Sequence, residues 1–537
     1  MRRNFVLLST LLIVVTLLFA IYLSPNWYVV LGIIFLLTLL GYYDMFQKKH
    51  SVMRIYPVLG RLRFLMEELR PKIYQYFIES DLDGRPINRI DRSTIYQRSK
   101  QENDTMPFGT QLDVYADGYE WVCHSMAPKD FKKLEQDPRV MIGNKECSQP
   151  YSCSIYNIAA MSYGALSANA VEAMNAGAKI GGFAHNTGEG GISNHHLKHG
   201  GDIIWQIGTG YFGCRTEDGN FDDELFQQKA QLPQVKMIEI KISQGAKPGH
   251  GGILPASKNS PEIAAIRHIK PHTLVESPPY HKAFSTPKEL IQFINKLRQL
   301  SGGKPVGFKL CIGHKSEFIA ICKAMMEANS YPDFITVDGA EGGTGAAPQE
   351  FSNYVGAPLL DGLDFVHNIL TGLSIRQHIR ILASGKILTG FHIIRAMALG
   401  ADVCYTARAM MMAVGCIQAL LCNTNKCPVG VATQDTKLTV GLVVDDKKQR
   451  VANFHRNTIK SVVELLGASG LERKENITRS HIYRRVSFQS MATYEEIFPS
   501  YAAGSFLTVV PDRYKQDFKV ANADYWGFPN IGSWSHQ

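Results

Sequence analysis

Three cysteines, Cys416, Cys422 and Cys427, fall within twelve residues of a Gly- and Pro-rich segment, and Pro428 follows the last. Thiols this close have three fates: inert packing in a core, a zinc site that usually takes four ligands, or an iron–sulfur cluster held by closely spaced thiolates with a trailing Cys-Pro. No histidine lies between Cys416 and Cys427, and three thiols match a cluster with three protein-held irons. A second chemistry sits in two β-rich runs. In Met237–Ser243 the isoleucines share one face, so Glu239, Lys241 and Ser243 point to the other. The same alternation in Gly307–Ile312 turns Lys309 inward. A buried ammonium must be paired; either Lys241 meets Glu239, or the two lysines neutralise an anionic cofactor or substrate. A third feature is the pair of strand ends Ser384-Gly385-Lys386 and Ala407-Arg408. The glycine and the following helix start, with Thr389 as cap, suit a phosphate.

These groups need a frame that brings strand ends together. Eight β-rich runs occur: Tyr156–Ser162, Gly181–Asn186, Val235–Ser243, Thr273–Ser277, Pro305–Ile312, Asp333–Asp338, Arg380–Ser384 and Asp402–Thr406. Helix-length segments follow most of them, among them Thr286–Leu300, Glu317–Asn329, Leu363–His378 and Thr389–Leu399. This alternation predicts an α/β fold, a (β/α)8 TIM barrel whose last two strand ends form the phosphate loops. A doubly wound open sheet is the alternative, and the GxGxxG fingerprint of its nicotinamide-binding version is absent.

The N-terminus has a different character. Phe5–Leu23 and Trp27–Tyr43 carry no charge, and each approaches the ~20 residues that cross a bilayer as a helix. Arg2 and Arg3 precede the pair while Lys48, Lys49 and Arg54 follow it. The positive-inside rule therefore predicts a multi-pass hairpin in the cytoplasmic (inner) membrane, with the remaining chain facing the cytoplasm. A cleaved signal peptide is the rival, but no small-x-small site follows Leu23. The expected organisation is a transmembrane hairpin over 1–45, a connecting and packing region over 46–153, the barrel over 154–435, and a helical extension with an irregular tail over 436–537. Within these, Tyr56–Tyr76 reads as an amphipathic helix broken by Pro71, and Val451–Leu466 as a helix packed outside the barrel. Apolar residues make up 45% of the 537 and the net charge is +9. That excludes a disordered or fibrous chain, and the dispersed basic residues give no nucleic-acid stripe. Ten cysteines are too few for a disulfide scaffold of this length.

Five motifs carry a family resemblance: Met161-Ser162-Tyr163-Gly164-Ala165-Leu166-Ser167, Asn186–Gly191, Lys241–Gly249, Gly342–Ala346 and Cys427–Gln434. In order and spacing they resemble the FMN-binding synthase domain of glutamate synthase, over roughly Ser154–Asp435 and more weakly through Val451–Asn457. The resemblance implies a barrel that binds FMN and a [3Fe-4S] cluster on Cys416, Cys422 and Cys427. It implies electrons passing through the cluster to the flavin, and hydride delivery to the 2-imine of 2-oxoglutarate and ammonia, giving glutamate. By similarity Lys241 and Lys309 contact the flavin. Met161, Ser162, Gly164 and Ala165, with Gly342, Gly343, Thr344 and Gly345, shape its pocket; Lys247 and Arg267 hold the oxo-acid carboxylates; Glu189 lies at the imine-forming end as the second catalytic group beside Lys241.

The chain departs from the family pattern where a glutamate and a glutamine are replaced by His250 and Ile253, and where Glu341 stands for an aspartate. It shows no glutaminase half and no nicotinamide-binding domain. Ammonia is therefore expected free or from a partner, and electrons from a ferredoxin-like protein, a membrane carrier or a separate reductase. Three readings follow: a membrane-anchored glutamate-synthase-like enzyme; the same scaffold on another 2-oxo or 2-amino acid, or as an electron-transfer subunit; and a non-catalytic assembly subunit.

Overall fold

The computed structural model describes residues 1–103 and 105–526, in two units, Met1–Ile90 and the chain from Asp91 onward. In the first unit, α1 (Arg2–Tyr22) and α2 (Trp27–Phe46) pack side by side, joined by a short turn. Both are long and apolar enough to cross a membrane. Edge-on ring contacts, Phe19 on Trp27 at 5.0 Å and Phe5 on Tyr42 at 6.2 Å, hold the pair at its two ends. The amphipathic segment begins later than expected, as α3 (Gly60–Ile73), and Pro71 does not stop it; the helix runs into a π-helical turn over Tyr74–Ile78.

The second unit contains a closed barrel of eight parallel strands in consecutive order. They are β1 (Tyr156–Ile158), β2 (His185–Asn186), β3 (Ile203–Ile207), β4 (Val235–Lys241), β5 (Val306–Leu310), β6 (Phe334–Asp338), β7 (Arg380–Ser384) and β8 (Val403–Thr406). The count of eight agrees with the sequence, but one member differs. Thr273–Ser277 does not enter the barrel: Val275–Glu276 pairs antiparallel with Ile253–Leu254 in a separate two-stranded excursion. The third barrel strand is Ile203–Ile207, buried along its whole length, so it lacks the alternation that marks a half-exposed strand.

Side-chain caps start the helices that return the chain between strands. Ser167, Asp222, Ser260, Thr286 and Thr389 each accept a backbone N–H three residues ahead, the usual N-cap bond. A hairpin, Arg139–Ile142 with Tyr151–Ser154, closes the N-terminal end of the barrel, where Ile142 and Cys153 pack on Ala159, Ile204, Met237, Phe334 and Leu382. Asp333, fully buried, ties this floor together by accepting from Asn144 N (2.8 Å), Val306 N (2.8 Å) and the Arg298 guanidinium (3.1 Å).

Outside the barrel, the helix Val444–Ala468 lies against Ala168–Gly181. A Cβ at Gly177 would meet Val451 at 2.6 Å, so the absence of a side chain there sets how near the two helices come. The region before the barrel and the extension after it join in one antiparallel sheet, Glu120–Val122 with Ile482–Ser487 and Ser490–Thr493. The tail is more ordered than expected: Asp512–Val520 is helical, and Lys323 Nζ donates to Phe518 O and Ala521 O, both at 2.7 Å. The part of that tail over 527–537 lies outside the described residues.

Candidate functional site at the C-terminal mouth of the barrel

Register places the two inward lysines side by side. Lys309 on β5 is the direct neighbour of Lys241 on β4, and Glu239 lies one level deeper opposite Gly307. Glu239 does not pair with Lys241. Its carboxylate accepts from Asn186 Nδ2 (2.8 Å), Gln206 Nε2 (2.6 Å) and Thr336 Oγ1 (2.6 Å), neutral donors on β2, β3 and β6. The Lys241–Glu239 ion pair considered from sequence is thus replaced, because interior neighbours satisfy Glu239 and leave Lys241 free to reach the mouth. Ser243 is likewise engaged, accepting from Cys311 N at 2.9 Å.

At the mouth, Lys241 Nζ lies 2.7 Å from Glu189 Oε1 and Lys309 Nζ lies 3.1 Å from Asp338 Oδ2, with all four side chains largely buried. Glycines make room for Glu189: a Cβ at Gly208 would fall 2.6 Å, and one at Gly252 2.4 Å, from its carboxylate oxygens. Burial alone pushes the Glu189 carboxyl up, but the Lys241 ammonium, helped by Lys247 and Arg267, reverses this and holds it below its ordinary value. Burial also lowers Lys309, and Asp338 with Glu239 and Glu189 more than offsets that, so its ammonium is held.

Lys247 and Arg267 complete the cationic group. Lys247 is buried and donates to Ala346 O at 2.8 Å. Desolvation, then the neighbouring Lys241 charge, bring it down to about 8, against a smaller opposing pull from Glu189. Arg267 is on the helix Pro261–Arg267, stacks over Phe212 at 5.1 Å and donates to Tyr163 O at 3.1 Å. Its buried Nε has no hydrogen-bond partner among the described residues. Burial brings it down to about 10, a change that Glu189 partly resists. Three cations therefore surround one carboxylate, an excess of positive charge in a desolvated place that favours an anionic ligand.

The loops expected to shape the pocket are at this end too. Met161, Ser162, Gly164 and Ala165 follow β1, and a Cβ at Gly188 would meet Ser162 N at 2.7 Å. Four successive carbonyls of this loop each accept a side chain: Tyr163 from Arg267, Gly164 from Gln434, Ala165 from Lys258, Leu166 from Gln434. Gly342, Gly343, Thr344 and Gly345 follow β6; Thr344 Oγ1 reaches Ala346 O at 3.4 Å, and a Cβ at Gly345 would meet open space. Arg408, just past Ala407 and β8, donates to Glu341 O at 2.6 Å. The Glu341 carboxylate accepts from Leu359 N at 3.0 Å, at the start of the helix Leu359–Gly372. After β7, Ser384 O accepts from Gly339 N, Gly385 has φ +147° and Lys386 φ +48°. Gly385 thus takes a backbone conformation that side chains rarely adopt, at the strand end next to Gly339.

The cysteine segment docks on the same loop. Ser167 Oγ donates to Gly430 O (2.7 Å), Asn425 Nδ2 to Ser257 O (3.1 Å), and Gln434 Nε2 to Leu166 O (2.8 Å). All ten cysteines are free thiols; Cys427 is buried, Cys416 and Cys422 half-buried. Burial, opposed by the Gln418 N–H and reinforced by Cys422 and Cys427, pushes Cys416 up to about 12. Buried Lys258 stands beside Cys422 and Cys427 electrostatically. Among the described residues no three Cys, His, Asp or Glu converge to hold a single metal ion. Sequence reasoning missed Asp338, Lys258 and the donors around Glu239. Asp338 ends a β-rich run, and that position was a usable signal.

The family model for the conserved region in glutamate synthase matches residues 90–472. The glutamate synthase large subunit-like protein YerD of Bacillus subtilis is 36% identical over 496 residues, covering 85% of this chain and 94% of its own. The archaeal glutamate synthase [NADPH] of Methanocaldococcus jannaschii is 37% identical over 322 residues, 60% of each chain. Among solved structures, a mandelate oxidase variant with an FMN adduct has a TM-score of 0.40 at 14% identity, covering 81% of this chain and 99% of that one. The family match spans the barrel, the cysteine segment and the helix behind them, and on it the chain belongs to the glutamate synthase family of oxidoreductases.

Proposed function

We propose that this protein is an FMN-dependent glutamate synthase-type enzyme that reductively aminates 2-oxoglutarate with ammonia, anchored in the cytoplasmic membrane by α1 and α2. The observation that carries the reading is the trio Lys241, Lys247 and Arg267 around the single carboxylate of Glu189. The two charges of a dicarboxylate balance the net excess of two.

The fit for FMN rests on the open space at Gly345, the backbone turn at Gly385 and the two side-by-side lysines. Lys241, Lys309, the Met161–Ala165 and Gly342–Gly345 loops, Ser384–Lys386 and Ala407–Arg408 would hold it. FMN supplies hydride chemistry when bound. The chain's own residues do the rest. Lys247 and the unpaired Nε of Arg267 take the substrate carboxylates as charge-assisted bonds. Glu189, ionised beside Lys241, holds ammonium, accepts its proton as the C–N bond forms at the 2-carbonyl carbon, and returns a proton to the former carbonyl oxygen, which leaves as water to give the imine. The Lys241 ammonium then remains as the cation that offsets negative charge at the reacting end.

Cys416, Cys422 and Cys427 would hold the [3Fe-4S] cluster. One thiolate per iron does not require convergence on a single point; Gln434 links their segment to the Tyr163–Leu166 loop, and Lys258, whose charge is felt by Cys422 and Cys427, donates to Ala165 of that loop. Electrons come from a ferredoxin-like protein or a separate reductase. A second reading is favoured by Ile253, which offers no hydrogen bond where the family has an amide, and by His250, whose Nδ1 lies 2.9 Å from Gly251 O: the acceptor is then a different 2-oxo acid. Reduced full-length protein given ¹⁵N-ammonium and a panel of 2-oxo acids separates the two. Labelled glutamate as the main product supports the first, another labelled amino acid the second, and no labelled amino acid opposes both.

A further inference from the structure

The first unit leaves a helix face uncovered next to the second apolar helix. On α3 and its flanks, Leu59, Leu62, Met66 and Ile73 recur at helical spacing on one face and are exposed, and Phe77 beyond them is 85% exposed. A row of large apolar side chains this long marks an interaction surface. Basic residues accompany it: residues 47–73 hold seven Lys and Arg against two Glu. A cleft of about 620 Å³ combines the two, lined by Met66, Ile73, Tyr74 and Ile78 together with Arg63, Arg70 and Glu67; Arg63 Nε donates to Glu67 Oε1 at 3.0 Å, which leaves its other guanidinium nitrogens and Arg70 for an anion. The place of the helix is fixed. Asp44, fully buried in the last turn of α2, receives Nε (2.9 Å) and Nη2 (2.6 Å) of Arg61 in a bidentate fork, and also accepts from Val58 N at 3.0 Å. The first turn of α3 is thus tied to the end of an apolar helix long enough to span a bilayer.

We propose that α3 and the turn over Tyr74–Ile78 form an interfacial element whose apolar face enters the headgroup boundary of an anionic bilayer, with Arg63 and Arg70 on lipid phosphates. The proposal rests on the membrane-anchor reading of α1 and α2 and deepens it. Two features select lipid over a protein partner. The Asp44–Arg61 fork makes the face continuous with the end of the span, and an apolar face that carries Arg70 between Met66 and Ile73, its long stem able to lift the guanidinium to the headgroups, complements acyl chains beneath a phosphate layer.

The test uses the full chain in vesicles of phosphatidylcholine with phosphatidylglycerol. A benzoylphenylalanine is placed at Leu36, Met66 or Phe77 in turn, and lipid adducts are measured after irradiation. The expected result is a lipid adduct at all three positions. In pure phosphatidylcholine, or in the R63Q/R70Q variant, adducts at Met66 and Phe77 fall several-fold while the adduct at Leu36 is unchanged. Lipid adducts at Leu36 alone, with protein crosslinks or none at Met66 and Phe77, overturn the proposal and leave the anchor standing. Absence of a lipid adduct at Leu36 overturns both.

Discussion

Lys241 Nζ and Glu189 Oε1 lie 2.7 Å apart although 52 positions separate them in the chain. One ends β4 and the other sits in the loop after β2, and the pairing of both strands with β3 brings them together. In the proposed reaction the pair divides the work: Glu189 takes a proton and Lys241 supplies charge.

Replacing Glu189 by Gln keeps the shape and removes the base. The expected outcome is a turnover lower by roughly 10²–10⁴-fold, the usual weight of a positioned acid–base group. FMN content stays normal, measured as flavin absorbance per protein. Loss of flavin in Glu189→Gln would show that the carboxylate serves the cofactor instead.

Lys247, brought down to about 8 by burial and by Lys241, loses its proton within an accessible pH range. Below that value the ammonium is present and holds a carboxylate; above it the site is neutral and affinity falls. Titration of the oxidised protein with 2-oxoglutarate should show weakening binding as pH rises through about 8. A guanidinium keeps its charge throughout, so Lys247→Arg should flatten this dependence.

Cys422→Ser is expected to strip iron while FMN stays bound, because the thiol belongs to the segment docked on the flavin loop and not to the loop itself. Iron and flavin analysis of the purified variant checks this. Unchanged iron would remove Cys422 from the ligand set.

Arg298→Met leaves Asp333 buried without its guanidinium partner. Breaking a buried pair on one side costs about 3–5 kcal/mol, so the midpoint of thermal unfolding of the barrel should drop while the mouth chemistry of the folded protein is unaffected. An unchanged midpoint would mean that the Asn144 and Val306 amides satisfy the carboxylate by themselves.

Much of this organisation is legible in the chain. The inward turn of Lys241 and Lys309 follows from alternating isoleucines, and the mouth loops follow from strand ends rich in glycine. Their partners do not. Glu189 and Asp338 meet the lysines across paired strands of the sheet, a pairing that local periodicity does not encode. Ile203–Ile207 is buried along its whole length, Gln206 included, so no exposed position marks it as a strand. Val275–Glu276 alternates because Glu276 is exposed beside buried Val275, so a true strand was placed in the wrong sheet. The donors around Glu239 come from β2, β3 and β6, and a polar residue inside a short strand gives no hint of which neighbour it will meet. Pro71 shows a further limit: the helix Gly60–Ile73 continues past it, forgoing the one bond to residue i−4 that a proline cannot donate.

The central claim is that the cationic trio and Glu189 serve reductive amination at a reduced flavin. The direct test is anaerobic stopped-flow absorbance of the dithionite-reduced full chain mixed with 2-oxoglutarate, with ammonium, and with both. The account predicts rapid flavin reoxidation only when both are present, with glutamate formed in matching amount. No reoxidation by the pair, from protein with full flavin content, would contradict it.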